Sequence, residues 1–123
     1  MKCGSGSPNF AALSAPADLD AYLEGCTDDL ALELPFGEAF RLEGKASVRA
    51  ALTQAFQAVS FELTVREVHR CSDPDELVVE YESSGSVVAD GAPYSNSYLG
   101  VFRFRDGALC FHCEYADPTR VNF

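Results

Sequence analysis

Apolar side chains at helical spacing define two segments of this chain. Residues 16–26 place them at the i, i+3, i+4 and i+7 positions of a short stretch closed by Gly25, namely Leu19, Tyr22, Leu23 and Cys26. Residues 45–59 carry a wider apolar stripe opposite charged and amide side chains, made of Val48, Ala51, Leu52, Ala55, Phe56 and Val59. The spacing predicts two amphipathic helices, a short one followed by a longer one.

Alternating apolar and polar positions predict strands in the rest of the chain. The first strand is brief and contains Leu30, Leu32 and Leu34 before Pro35 interrupts the pattern. Four longer strands follow the second helix, joined by the turn sequences S-D-P-D, A-D-G-A and R-D-G-A, and they cover residues 61–71, 76–88, 94–105 and 108–115. Helices followed by an antiparallel meander indicate an α+β fold, in which a curved antiparallel sheet wraps around the amphipathic helices.

In the last predicted hairpin, regular strand pairing conflicts with the expected position of the ionisable side chains. A two-residue loop at Asp106-Gly107 with regular pairing turns Glu114 away from the aromatic face of the hairpin. One extra residue near Cys110 or Phe111 would bring His112 and Glu114 onto that face, and bulges are common beside active sites. We therefore predict a β-bulge at this point.

The strand at residues 61–71 raises a similar question. Its odd positions from Phe61 to Val65 are apolar, so unbroken alternation puts Glu67 and His69 on the concave face. His69 would then be a candidate acid or base, since histidine exchanges protons near neutral pH. Alternatively the strand bends or leaves the core before Glu67, and both groups stay hydrated.

Composition limits the classes of partner. The formal net charge of −10 removes the basic surface that nucleic-acid binding requires, and no stretch approaches the roughly 18 apolar residues of a membrane span. Five scattered cysteines and no apolar leader segment are typical of a cytoplasmic protein with reduced thiols. We expect a flexible arm at residues 1–9 and a single domain at residues 10–123.

Cofactor and metal motifs do not stand out. The sequence has no glycine-rich phosphate loop, no nucleophile elbow and no two-histidine metal spacing. The C-F-H-C run at residues 110–113 superficially suggests a zinc site, but on a strand its two cysteines project to opposite faces. We expect neither a cofactor nor a metal.

Several sequence patterns occur in a consistent order between residues 28 and 118. They are E-L-P-F at 33–36, L-E-G-K at 42–45, S-D-P-D-E-L-V-V-E-Y at 72–81, and Y-S-N-S-Y at 94–98 with E-Y-A-D-P at 114–118. This ordered set resembles the SnoaL-like polyketide cyclase family and, more closely, its phenazine-biosynthesis A/B-type branch. That branch belongs to the nuclear-transport-factor-like superfamily, which also holds ketosteroid isomerases.

The resemblance implies a cone-shaped α+β barrel of the cystatin-like roll type, with a deep apolar pocket and a homodimer formed through the outer sheet face. It also implies that Glu114 lies in the pocket and takes part in acid–base chemistry. The branch has a partner histidine in its second helix, and the corresponding position here is about Ala51, so that role is vacant. The first helix is shorter than is usual for the family.

Together these observations predict a small cofactor-free protein that binds a hydrophobic carbonyl or aromatic metabolite. The favoured chemistry is acid–base isomerisation or cyclisation, with Glu114 as the main group and His69 or His112 as its partner. The alternative is a non-catalytic binding or dimerisation domain of the same fold. The candidate ligand-binding residues are the hydrogen-bonding side chains Tyr98, Asn96 and Tyr81 and the aromatic side chains Phe56, Phe36 and Phe102.

Overall fold

The computed structural model describes residues 19–35, 40–117 and 119. It contains a short helix α1 at Leu19–Glu24 and a longer helix α2 at Lys45–Ala58. The strands are β1 at Cys26–Leu34, β2 at Phe40–Glu43, β3 at Val59–Arg70, β4 at Glu76–Val87, β5 at Pro93–Arg105 and β6 at Ala108–Ala116. The predicted α+β class is confirmed, and the predicted arm at residues 1–9 lies outside the described residues.

The six described strands form one sheet in the order β2-β1-β6-β5-β4-β3. Strands β3 to β6 are the predicted antiparallel meander, and β2 pairs with β1 in the same sense. The pairing of β1 with β6 is parallel, which corrects the expectation of a wholly antiparallel sheet. Because β1 and β6 are far apart in the chain, no hairpin fixes their relative direction.

One face of the sheet packs against both of the described helices. The core contains Leu23 of α1, Val48 of α2 and the inward side chains of the central strands, among them Leu77, Val79 and Phe102. Val48, Val79 and Phe102 have no exposed surface. Neither described helix has the length and apolar character needed to cross a membrane.

A glycine permits the close approach of β3 and β4. A Cβ atom placed on Gly85 would lie 1.9 Å from the carbonyl oxygen of Ser60 and 2.6 Å from the Cα of Phe61. Both neighbours are backbone atoms, so they cannot yield by a side-chain rotation. Any side chain at position 85 would push the two strands apart.

The observed elements differ from the predicted ones at two places. Cys26 opens β1 instead of belonging to the apolar stripe of the first helix, because its backbone pairs with Leu109 of β6. Strand β2 was not predicted, because its four residues are too few to form a long apolar pattern. It lines up beside Leu34 and its neighbours at the edge of the sheet.

Candidate functional site

The predicted bulge in the last strand is present. Phe104 pairs with Leu109, whereas Arg103 pairs with Phe111, so Cys110 is the extra residue. The Cys110 thiol lies 3.4 Å from the carbonyl oxygen of Arg103, to which it donates a hydrogen bond. Side chains beyond this point change face relative to regular pairing.

The bulge brings two ionisable groups to the inner face. His112 pairs with Phe102 and Glu114 pairs with Gly100. The rings of Phe102 and His112 stack with their centroids 4.2 Å apart. A Cβ atom on Gly100 would lie 2.6 Å from the Phe102 ring and 3.0 Å from the Tyr81 ring, so glycine leaves room for both rings to close over the strand.

Four polar side chains on this face are linked. The Tyr81 hydroxyl donates a short hydrogen bond to Oε1 of Glu114, and its oxygen lies 3.1 Å from Nε2 of His112. The Tyr22 hydroxyl, from α1, lies 3.5 Å from the other ring nitrogen, Nδ1. Nε2 of His112 and Oε1 of Glu114 are 3.9 Å apart, which is too long for a direct hydrogen bond.

Burial controls the ionisation of this cluster. Burial raises the pKa of Glu114, and the hydrogen bond from Tyr81 partly offsets that effect. Burial also lowers the pKa of His112 to about 3, so its ring is neutral near physiological pH. The pKa of Tyr81 is raised by burial and then by the charge of Glu114, which keeps this phenol a hydrogen-bond donor.

The two ionisable groups differ in access to solvent. The Glu114 side chain keeps 25% of its surface exposed, whereas that of His112 keeps 6%. A bound molecule could therefore contact the carboxyl group directly. His112 can act only through its neighbours.

The aromatic side chains of Tyr98 and Phe56 lie at different places. The Tyr98 ring stacks on Tyr81 with a centroid distance of 5.0 Å, and its hydroxyl lies 2.8 Å from the Ser83 hydroxyl. Phe56 of α2 is half-buried and meets Phe61 edge to face at 5.4 Å. Tyr98 thus adjoins the polar cluster, while Phe56 packs against the start of β3.

Asn96 has a different position from the one expected of a ligand-binding group. It is buried, and its amide oxygen accepts hydrogen bonds from the backbone N–H groups of Ser97 at 2.8 Å and Asp117 at 3.1 Å. Its amide nitrogen donates to the Asp117 carbonyl. Asn96 therefore fastens the chain after β6 to β5. Phe36 lies outside the described residues.

A second bulge, in β3, places His69 away from this cluster. The pairing of β3 with β4 skips Arg66, so every later side chain of β3 changes face. Glu67 and His69 lie on the outer face, which also carries Glu80. The hypothesis that Glu67 and His69 point to the concave face is therefore wrong, and the alternative that both groups stay hydrated agrees with their exposure.

His69 instead belongs to a solvated ion-pair cluster. Its Nε2 lies 2.6 Å from Oε2 of Glu80, and 46% of its side chain is exposed. The hydrogen bond to Glu80 and the nearby charge of Glu67 raise the pKa of His69. The ligand atoms of all three residues lie within 4.8 Å of one another.

Tyr22 is the member of the inner cluster that sequence reasoning missed. Its position in the apolar stripe of the first helix assigned it to the core, and it is indeed buried. Burial, followed by Cys26 and Glu114, raises its pKa. The hydroxyl group was the only signal, because a buried phenol usually has a polar partner.

The described sheet of six strands, packed on the two described helices, belongs to the class of ketosteroid isomerase-like α+β folds. Within that class the chain belongs to the SnoaL-like domain family, whose family model matches residues 9–112. The family resemblance seen in the sequence patterns is confirmed.

Individual relatives support the assignment. The protein YesE of Bacillus subtilis is 27% identical over 116 residues, which cover 91% of this chain and 79% of YesE. The structure of a Bacillus subtilis protein provisionally classed as an isomerase superposes with a TM-score of 0.85 at 25% identity, covering 98% of this chain and 89% of that one. A phenazine biosynthesis-related protein of Pseudomonas aeruginosa has a TM-score of 0.81 at 17% identity, covering 97% of this chain and 81% of that one.

Proposed function

We propose that the protein binds a neutral hydrophobic molecule with a carbonyl or aromatic group and moves a proton on it, with Glu114 as general acid and base. The observation that carries this proposal is a partly exposed carboxyl group of raised pKa on the inner face, hydrogen-bonded by Tyr81. Isomerisation or cyclisation of the substrate would follow from that proton transfer. No cofactor takes part in the proposed step.

The environment of Glu114 suits proton transfer. A carboxyl group whose pKa is raised can accept a proton from carbon more readily and return it at another position. Tyr81 stabilises the ionised form of Glu114 by its hydrogen bond, and this hydrogen bond would weaken as the carboxyl group becomes protonated. Tyr81 is itself buried, so it would act on the substrate through Glu114.

The charges around the cluster favour a neutral substrate. Among the described residues, His112 is the only basic side chain within ion-pair distance of Glu114, and its ring is neutral. The described ion pairs of lysine and arginine join carboxylates elsewhere, such as those of Arg103 with Glu76 and Arg105 with Asp29. An anionic substrate would therefore meet a carboxylate with no cation to offset it.

The relatives agree with this class of chemistry. One of them is provisionally classed as an isomerase, and another is related to phenazine biosynthesis. The alternative is ligand binding without turnover, and it is favoured by Ala51, which stands where the family resemblance expects a histidine.

Deuterium exchange tests the proposal. The parent protein, Glu114→Gln and Glu62→Gln would each be incubated in D2O with a panel of neutral cyclic ketones and enones, and exchange at the α-carbon followed by NMR. We expect the parent and Glu62→Gln, a control on the exposed surface of β3, to exchange about 10²- to 10⁴-fold faster than Glu114→Gln. Equal rates would remove Glu114 from the mechanism, whereas binding without exchange would support the alternative.

We further propose that two copies associate through the outer face of the sheet. Leu99 and Tyr115 face each other across β5 and β6, with 40% and 43% of their surfaces exposed. Val101 and Val78 form the neighbouring pair on the same face. A contiguous apolar strip of this kind is typical of an association surface.

Light scattering after size-exclusion chromatography measures this association. We expect Leu99→Asp to halve the mass of the parent species, because it places a charge in the strip. Gln57→Asp on the exposed side of α2 should leave the mass unchanged. A monomeric parent would refute the dimer.

A further inference from the structure

We propose that His112 is a positioning residue that turns the Tyr81 hydroxyl toward Glu114, and that it does so as the neutral tautomer protonated on Nε2. The juxtaposition behind this inference is a row of four groups in which each ring nitrogen of His112 faces one phenol. Its meaning for catalysis rests on the proposed function. The tautomer itself does not.

The direction of the row follows from the number of protons available. The Tyr81 hydroxyl has one proton, which it donates to Oε1 of Glu114. The Tyr81 oxygen can therefore only accept from His112, and Nε2 must carry the proton. Since a neutral imidazole has one donor and one acceptor, Nδ1 then accepts from the Tyr22 hydroxyl.

Distances exclude the simpler alternative in which His112 serves Glu114 directly. Nε2 lies 3.1 Å from the Tyr81 oxygen and 3.9 Å from Oε1 of Glu114. Only the first distance allows a hydrogen bond. Stacking on Phe102 at 4.2 Å fixes the ring plane, so the ring cannot tilt toward the carboxylate without losing that contact.

The same row implies that the tautomer depends on the acceptor at Glu114. If position 114 offers no acceptor, the Tyr81 proton is free to turn to Nε2. The histidine proton then belongs on Nδ1, from which it can be donated to the Tyr22 oxygen. The loss of one carboxylate oxygen would thus reverse every hydrogen bond in the row.

Glu114 is the group that sets this direction near neutral pH. The other ionisable groups around the ring are the phenols Tyr22, Tyr81 and Tyr98 and the Cys26 thiol. Burial raises the pKa of each of them, that of Cys26 to about 11. They stay neutral over the range in which Glu114 titrates.

Nitrogen NMR of the ligand-free protein tests the inference, because the protonated and unprotonated ring nitrogens of a neutral histidine resonate far apart. We expect the Nε2–H tautomer in the parent and in Glu114→Gln, whose amide oxygen still accepts from Tyr81. Glu114→Leu should show the Nδ1–H tautomer. Tyr98→Phe, which removes a neighbouring phenol outside the row, should match the parent.

Two results would overturn the inference: an Nδ1–H or doubly protonated ring in the parent, or an unchanged tautomer in Glu114→Leu. If Glu114→Leu does not fold, Glu114→Ala, which also offers Tyr81 no acceptor, replaces it. Because no substrate is present, these outcomes are independent of the deuterium-exchange test.

Discussion

Replacing Tyr81 by phenylalanine should make Glu114 a markedly weaker acid. The substitution removes the hydroxyl that donates to Oε1 of Glu114 and leaves the ring that stacks on Tyr98. Hydrogen bonds to charged groups contribute about 1.5–3 kcal/mol. At about 1.36 kcal/mol for each tenfold change, the acid dissociation constant of Glu114 should fall about ten- to a hundredfold.

The side-chain carboxyl carbon of Glu114, followed by NMR across pH, reports this change directly, and Glu114→Gln identifies its signal. Tyr98→Phe is the matched control, since the Tyr98 hydroxyl bonds Ser83 and not Glu114. It removes the same atom from the neighbouring ring. An unchanged or strengthened acid in Tyr81→Phe would falsify the assignment of Tyr81 as the donor.

The same titration affects stability in a defined direction. Because folding raises the pKa of Glu114, the folded protein holds this proton more tightly than the unfolded chain does. That contribution is complete below the unfolded pKa and is lost as pH rises through the folded pKa. In Tyr81→Phe the folded pKa is higher still, so the loss should extend to higher pH in denaturation curves.

Three further expectations concern the scaffold. Gly85→Ala should lower the free energy of unfolding by at least about 1–3 kcal/mol through its clash with Ser60, measured by urea denaturation, while Gly25→Ala, whose nearest contact is an ordinary 3.6 Å, should change it little. Asn96→Leu should cost about 1–3 kcal/mol by leaving backbone N–H groups unpaired, and Asn96→Asp should recover part of it; equal losses would contradict the acceptor role. The pKa of His69 should lie above that of an ordinary histidine and should return toward that value in Glu80→Gln. Because folding raises this pKa, the contribution of His69 to stability is present below the unfolded pKa and is lost as pH rises through the folded pKa.

The sequence indicated the bulge near Cys110 more clearly than the bulge in β3. Near Cys110, regular pairing conflicted with the aromatic face, and this conflict required an extra residue. In β3 the sequence signal for a bulge was the interval of three residues between Val65 and Val68, which breaks the apolar–polar alternation. The charged residues between them were interpreted as candidate functional groups instead. Val68 pairs with Val79 on the inner face, as that interval would have predicted.

Long-range arrangement was beyond sequence reasoning. The parallel pairing of β1 with β6 depends on how the chain returns after α2, and no local pattern encodes it. The contact between Tyr22 and His112 joins residues 90 positions apart, so neither residue type suggested the other. Tyr81 and Glu114 could be predicted to lie near each other because β4 and β6 flank β5 in one meander.

The extra residue at Cys110 affects how the site can change as the sequence evolves. Loss of the Cys110 codon would remove the bulge and leave the later pairs unchanged, with Glu114 still on the inner face. A substitution that let all the residues of β6 pair regularly would instead turn Glu114 to the outside and Tyr115 to the interior. A descendant could thus keep every side chain of the cluster and still lack the cluster. When related sequences are compared, the number of residues between Gly107 and the glutamate therefore shows whether a bulge is needed to turn the glutamate inward.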